Sequence, residues 1–209
     1  MSTPSGTMRC CRTVDARIGV LALQGDVSEH IDAFLLALER TGHGPASEVF
    51  EVRSPVDLEK CNALAIPGGE STTISRLVDK NGLYDPIRQF KGGIFATCAG
   101  MVLMAADVAD PRIHPLGLMD MAVDRNAFGR QRESFEVSLP LAGLDGGSFH
   151  AIFIRAPVVT RAGPALSVLA RLDQGIVAVE QGRNIALSFH PELGNDTRLH
   201  ERFLKMNGI

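Results

Sequence analysis

Cys98 is the residue of this chain best placed to act as a nucleophile. The apolar run Gly93-Ile94-Phe95-Ala96 leads into Thr97-Cys98-Ala99-Gly100, and a stretch rich in Met, Val and Leu follows at once. A strand that turns sharply into a helix through small residues lifts the residue at the turn above the sheet edge, as in a nucleophile elbow. There the positive end of the helix macrodipole favours thiolate over thiol, and the Ala99 backbone N–H points to where an oxyanion would form. Buried core cysteines occur in similar surroundings, so the local sequence supports a reactive and an inert reading equally.

His190-Pro191-Glu192 follows another apolar run, Ile185 to Phe189. In an extended segment, residues two apart project to the same side, so Glu192 can reach the imidazole of His190 and fix its tautomer. A thiol, an imidazole and an orienting carboxylate make a complete acyl-transfer set. A lone histidine at a strand end is more often simply hydrogen-bonded. What links it to Cys98 is position: both lie at the C-terminal ends of expected parallel strands, where open α/β sheets place their ligands.

Pro67-Gly68-Gly69-Glu70-Ser71-Thr72-Thr73 is a further candidate, again between a strand and a helix. Its glycines let backbone N–H groups approach a ligand without an intervening Cβ, so it suits a phosphate or an oxyanion, or it is a plain turn. The G-x-x-x-x-G-K-[ST] pattern of a nucleotide-binding loop is missing, which disfavours nucleotides. Arg125, Arg130, Arg132 and Arg155, with Asn126 and Gln131, could clamp a carboxylate or simply be solvated. His30, His43, His114, His150 and His200 show no metal-ligand spacing, and the four cysteines (Cys10, Cys11, Cys61, Cys98) form no C-x-x-C pair. No metal site is expected.

These groups need a sheet to hold them. Ile18 to Leu23 reads as a buried strand, after which Asp26 opens a helix with Glu29 as its capping-box partner. The helix has Val27, Ile31, Phe34, Leu35 and Leu38 as its apolar stripe and Gly42 as its stop. Strands are expected at Glu48 to Arg53, Ala63 to Ile66 and Gly93 to Thr97. Helices are expected from Ser71 to Asp79 and from Cys98 to Ala106. This alternation predicts a three-layer α/β fold with a mostly parallel central sheet and helices on both faces. The C-terminal half is strand-rich, with strands near Leu116 to Val123, Glu133 to Leu139, Phe149 to Ile154, Leu166 to Arg171, Ile176 to Glu180 and Asn184 to Phe189. A helix from Asp196 to Met206 closes the chain, with Leu199, Phe203, Leu204 and Met206 as its apolar positions.

At 209 residues, with 45% hydrophobic and 22% charged side chains, the composition is that of one globular domain. Residues 17–209 are read as that single domain, and residues 1–16 as a flexible extension. The net charge of −3 offers no basic excess for nucleic acid. Apolar runs such as Met101 to Ala106 fall far short of the ~20 residues of a membrane span. A soluble protein of the reducing cytoplasm is expected.

Taken together, the glycine loop, the elbow and the His-Pro-Glu segment resemble those of triad (class I) glutamine amidotransferases, whose fold is flavodoxin-like. Within that group the chain is similar to the glutaminase subunits of two-component pyridoxal 5′-phosphate synthases. The segments that carry this likeness are Val20 to Asp26, Pro67 to Thr73, Gly117 to Asp120, Arg125 to Gln131, Phe153 to Pro157 and Ser188 to Glu192. The resemblance implies that Cys98 attacks the side-chain amide of L-glutamine, His190 shuttles the proton to ammonia and Glu192 orients His190. It implies an oxyanion hole at Gly69 and Ala99, and glutamine binding by Gly69, Glu70, Ser71, Arg125, Ile154 and Arg155. Gln24 is then a candidate for partner contact and activation. The implied partner is a separate (β/α)8-barrel synthase subunit whose double ring carries several glutaminases and uses their ammonia, with pentose and triose phosphates, to make pyridoxal 5′-phosphate. No cofactor is implied. Readings kept beside it are a glutaminase serving a different acceptor enzyme, a non-catalytic regulatory subunit of the same fold, and a cysteine peptidase or redox-stress protein. One departure is Ala96, where the family commonly has Gly.

Overall fold

The computed structural model describes residues 15–125 and 134–209. Most of the expected N-terminal extension lies outside them, as do Cys10, Cys11, Asn126, Arg130, Gln131 and Arg132. The first half runs β1 (Arg17–Leu21), α1 (Val27–Arg40), β2 (Glu48–Val52), α2 (Pro55–Leu58), β3 (Ala63–Ile66), α3 (Ser71–Lys80), α4 (Tyr84–Gln89), β4 (Gly93–Thr97) and α5 (Ala99–Met104). The second runs β5 (Ala105–Val108), β6 (Met119–Asp124), β7 (Ser134–Leu139), β8 (Phe149–Ile154), β9 (Val158–Ala162), β10 (Ser167–Leu172), β11 (Gly175–Gln181), β12 (Asn184–Leu187) and α6 (Arg198–Met206).

Ten strands form one sheet in the order β2-β1-β3-β4-β12-β11-β9-β6-β5, with β10 paired to β11. The block β2-β1-β3-β4-β12 is wholly parallel. Beyond β12 the pairing turns antiparallel through β11, β9 and β6, before β5 returns parallel to β6. Strands β7 and β8 form a separate antiparallel ribbon.

The parallel strands are apolar on both faces because both are covered. Along β3, Ala63 and Ala65 face one core while Leu64 and Ile66 face the other; along β4, Phe95 faces the first and Ile94 and Ala96 the second. The first core is closed by α1, α6 and the β7–β8 ribbon, and the second by α3, α4 and α5. Phe34 of α1 joins elements of the first core through ring contacts, meeting Phe95, His200 and Phe203 edge-on at 4.9–5.9 Å between ring centres. No described helix is long and apolar enough to cross a membrane.

Several expectations are corrected. Leu35 is not on the buried stripe of α1: it is 47% exposed, and His30 and Ala33 take the buried positions beside Phe34. The Asp26–Glu29 capping box does not form, since Asp26 makes no side-chain cap bond and Ser28 donates to Glu29 instead. The helix after Cys98 stops at Met104 rather than Ala106, because Ala105 leaves helical geometry to pair with Met119. Leu116 to Leu118 is irregular rather than strand, with backbone N–H groups donating to the carbonyls of Leu103, Met104 and Ala105. These bonds satisfy the acceptors left open at the end of α5. Strand β12 ends at Leu187 and α6 begins at Arg198, each a little inside the expected span.

Replacing Phe34 by Ala empties a fully buried site that joins α1, β4 and α6. A loss of ~3–5 kcal/mol in unfolding free energy is expected, measured by urea denaturation.

Candidate active site

Strand β4 delivers Cys98 at its C-terminal end. The Cys98 backbone N–H donates to Leu187 O at 2.8 Å, so the residue is still hydrogen-bonded to β12 when the chain turns. Its φ of 47° is left-handed, a conformation that costs a non-glycine residue roughly 1–3 kcal/mol and persists only where the surroundings enforce it. Parallel pairing with β3 and β12 on either side, and α5 starting at once, provide that enforcement. Cys98 is 8% exposed, and its sulfur lies 3.6 Å from the carbonyl oxygen of Ile154.

β12 delivers His190 beside it. The His190 backbone N–H donates to Ile152 O at 2.8 Å, tying the segment to β8. The chain then enters a short 3-10 turn, Pro191–Leu193. Glu192 therefore reaches the imidazole because the backbone curls back, not because an extended segment projects alternate residues to one side. The Nδ1–H of His190 donates to Glu192 Oε1 at 2.7 Å, with the Glu192 side chain wholly buried. Asp26 Oδ2 stands 3.4 Å from the same nitrogen. Carboxylates only accept, so the proton is on Nδ1 and, in the neutral ring, Nε2 is the free base. Nε2 has no hydrogen-bond partner among the described residues, and its ring lines the same cleft as Cys98.

Burial opposes charge on His190, but the side chains of Asp26, Cys98 and Glu192 outweigh it and push the imidazole up to about 12. Burial likewise opposes charge on Glu192, yet the histidines around it hold its carboxyl below the usual range. Both shifts favour the charged form of the pair, an imidazolium bonded to a carboxylate.

The glycine loop closes the cleft from the β3 side. Gly68 passes so near His190 that a Cβ there would lie 2.3 Å from the imidazole Cε1, and Gly69 has a φ of 149°. Neither position admits a side chain without displacing the site. Gln24, after β1, accepts from the Glu70 backbone N–H at 2.8 Å through Oε1 and so pins the loop. Glu70 caps α3 by accepting from Thr72 N and Oγ1. Arg125 donates to Glu70 Oε1 at 3.1 Å and to Asp110 Oδ2 at 2.9 Å.

A cleft of about 760 Å³ joins these groups, lined by Gln24, Asp26, Gly69, Glu70, Ser71, Cys98, Ala99, Arg125, Ile154, Arg155 and His190. Of the residues singled out from the sequence, Gln24, Gly69, Glu70, Ser71, Cys98, Ala99, Arg125, Ile154, Arg155 and His190 meet there, and Glu192 stands behind His190. Arg155, with a left-handed φ of 46°, turns the chain at the end of β8. The arginine-bearing stretch from Asn126 to Arg132 lies outside the described residues. Asp26, His190 and Glu192 form the one group among the described residues whose ligand-type atoms lie within 4.8 Å of each other. The short Nδ1–Oε1 contact makes that group a proton-sharing pair rather than an open metal ligand set.

A model of the SNO glutamine amidotransferase family matches residues 20–208. The chain belongs to that family. The pyridoxal 5′-phosphate synthase subunit PdxT of Methanoregula boonei is 73% identical over 193 residues, covering 92% of this chain and 100% of its own length. That of Methanosphaerula palustris is 62% identical over 196 residues, covering 94% and 100%. A crystal structure described as a glutamine amidotransferase superposes with a TM-score of 0.80 at 47% identity, covering 92% of this chain and 99% of its own. The three-layer fold with a mixed, mostly parallel sheet is thus that of glutamine amidotransferases.

Sequence reasoning missed Asp26, which it read as a helix cap, and the buried pair His30 and Thr97. The signal for His30 was present, a polar residue on the apolar stripe of α1. His43, His114 and His150 instead make surface contacts, with Thr41, Asp79 and Glu136 respectively.

Because folding raises the His190 value from ~6.5, its contribution to stability is full below that pH and fades as pH rises toward about 12. In Glu192→Gln the His190 titration, followed by NMR of the ring protons, is expected to fall toward ~6.5. The loss of melting temperature between about pH 7 and 11 should become shallower than in the parent protein.

Proposed function

We propose that this chain hydrolyses L-glutamine to glutamate and ammonia and delivers the ammonia to a pyridoxal 5′-phosphate synthase subunit. The observation that carries this reading is the meeting of Cys98, His190 and Glu192 at one cleft in a member of the glutamine amidotransferase family. The PdxT relatives, matched over their full length, supply the acceptor.

In this reading Cys98 Sγ adds to the amide carbon of glutamine as a thiolate beside the His190 imidazolium. The backbone N–H groups of Gly69 and Ala99 hold the oxyanion. His190 gives its proton to the departing nitrogen, releasing ammonia and a glutamyl thioester. The ring, now neutral at Nε2, takes a proton from water as it attacks the thioester, and glutamate leaves. Glu192 keeps the proton on Nδ1 throughout. The cleft offers both signs of charge to a zwitterion, Arg125 for the α-carboxylate and Glu70 for the α-ammonium. Ser71, Ile154 and Arg155 complete the glutamine pocket.

The partner in this reading is a (β/α)8 barrel whose double ring carries several glutaminases, in the cytoplasm. Gln24 bonds to the glycine loop that contributes to the oxyanion hole, so it can couple docking to activation. Residues 17–209 act as one domain, with residues 1–16 as an extension. No cofactor is required by these steps.

With a synthase subunit added, glutamate release is expected to rise well above that of the isolated chain. Cys98→Ala should lower it by ~10³-fold or more. Unchanged turnover in that variant, or no stimulation by the synthase, overturns the reading.

A further inference from the structure

Glu192 is buried on all sides, and its Oε2 has no hydrogen-bond partner among the described residues. Everything that keeps this carboxylate ionised converges on Oε1. A buried charge with too few partners neutralises instead, and a protonated Glu192 no longer holds the imidazolium.

Besides His190, two groups reach Oε1. The Thr97 hydroxyl is 3.5 Å away and His30 Nε2 is 3.4 Å away, while His30 Nε2 and Thr97 Oγ1 are 2.9 Å apart. All three side chains are buried. The distances define one chain of donors: His30 Nε2–H to Thr97 Oγ1, and the Thr97 hydroxyl to the carboxylate. That arrangement leaves His30 Nδ1, which has no partner among the described residues, as a bare acceptor rather than a stranded N–H.

We propose that His30, acting through Thr97, is a positioning residue that keeps Glu192 ionised and aimed at His190. The proposal rests on the glutaminase reading for its chemistry. Its placement is specific. Thr97 adjoins Cys98 at the end of β4 and shares a strand face with Phe95, whose ring meets His30 edge-on at 6.2 Å between centres. His30 belongs to the first turn of α1, and its backbone N–H donates to Asp26 O at 3.3 Å. One buried pair thus ties the nucleophile strand, the helix that follows Gln24 and Asp26, and the carboxylate.

The other titratable groups around this carboxylate are His190, Asp26 and Cys98 on the cleft side and His200 of α6. Burial pushes His200 down to about 3, and neither of its ring nitrogens has a hydrogen-bond partner among the described residues, so it does not stand in for the Thr97–His30 pair as a donor to Glu192.

The test uses Thr97→Val, which keeps the shape and removes the hydroxyl, with Thr97→Ser as the conservative rescue. In the complex with a synthase subunit, kcat for glutamine is expected to fall about tenfold or more in Thr97→Val, with KM changed less than about twofold. The acid limb of the kcat–pH profile should move upward, and Thr97→Ser should return to within about threefold of the parent. A second readout needs neither substrate nor partner: the pH dependence of Cys98 alkylation by iodoacetamide in the isolated chain should shift in the same direction. A folded Thr97→Val with parental kcat and unshifted profiles overturns the proposal. If Thr97→Val does not fold, His30→Phe replaces it, keeping a ring against Phe95 while removing the Nε2 donor, and parental behaviour there overturns it equally. Failure of the parent to turn over glutamine with its partner defeats the glutaminase reading instead, and the alkylation profiles still decide the positioning role.

Discussion

The hydrogen bond between His190 and Glu192 puts a charged pair inside the protein, and much of the architecture answers to it. A buried ion pair tolerates desolvation only when its geometry is tight and its remaining polar atoms find partners. The 2.7 Å contact meets the first condition. Asp26 from the β1–α1 connection, Thr97 from the end of β4 and His30 from α1 gather around the two atoms that share this bond, His190 Nδ1 and Glu192 Oε1. Elements far apart in the chain thus meet at a single buried imidazole–carboxylate pair.

The same economy of space governs the loop opposite. Gly68 and Gly69 run between Gln24 on one side and the His190 ring on the other, with no room for a Cβ at either position. A loop packed this closely sets the width of the cleft through backbone alone. The strained turn at Cys98 belongs to the same construction, since parallel pairing on both sides of β4 holds a conformation the residue would not adopt by itself. Rigid strands therefore carry the catalytic candidates, and the short connections at their C-terminal ends bring them together.

Much of this was legible from residue order. The alternation of apolar runs with amphipathic stretches marked β1, α1, β3, α3 and β4, because period 2 and period 3.6 are local properties of the chain. Short elements were harder. α2 and α4 went unassigned, although Ser54 and Asp57 form a capping box that the sequence displays. β5 was read as the end of a helix, since Ala105 and Ala106 suit either state and only the partner strand β6 chooses between them. β9 was missed for the same reason: Val158–Ala162 becomes a strand by bridging β11 and β6.

The sequence by itself determined the candidate triad, the glycine loop and the layered α/β class, because each is written in residue type and short-range spacing. Only the tertiary structure decided that Asp26 turns from capping its helix to face His190, and that His30 and Thr97 reach the Glu192 oxygen that His190 bonds. The Asp26–His190, His30–Thr97, Thr97–Glu192 and His30–Glu192 contacts join residues 164, 67, 95 and 162 positions apart. Such partners are selected by how the sheet and α1 pack, through burial and hydrogen-bond geometry, and no local pattern encodes them.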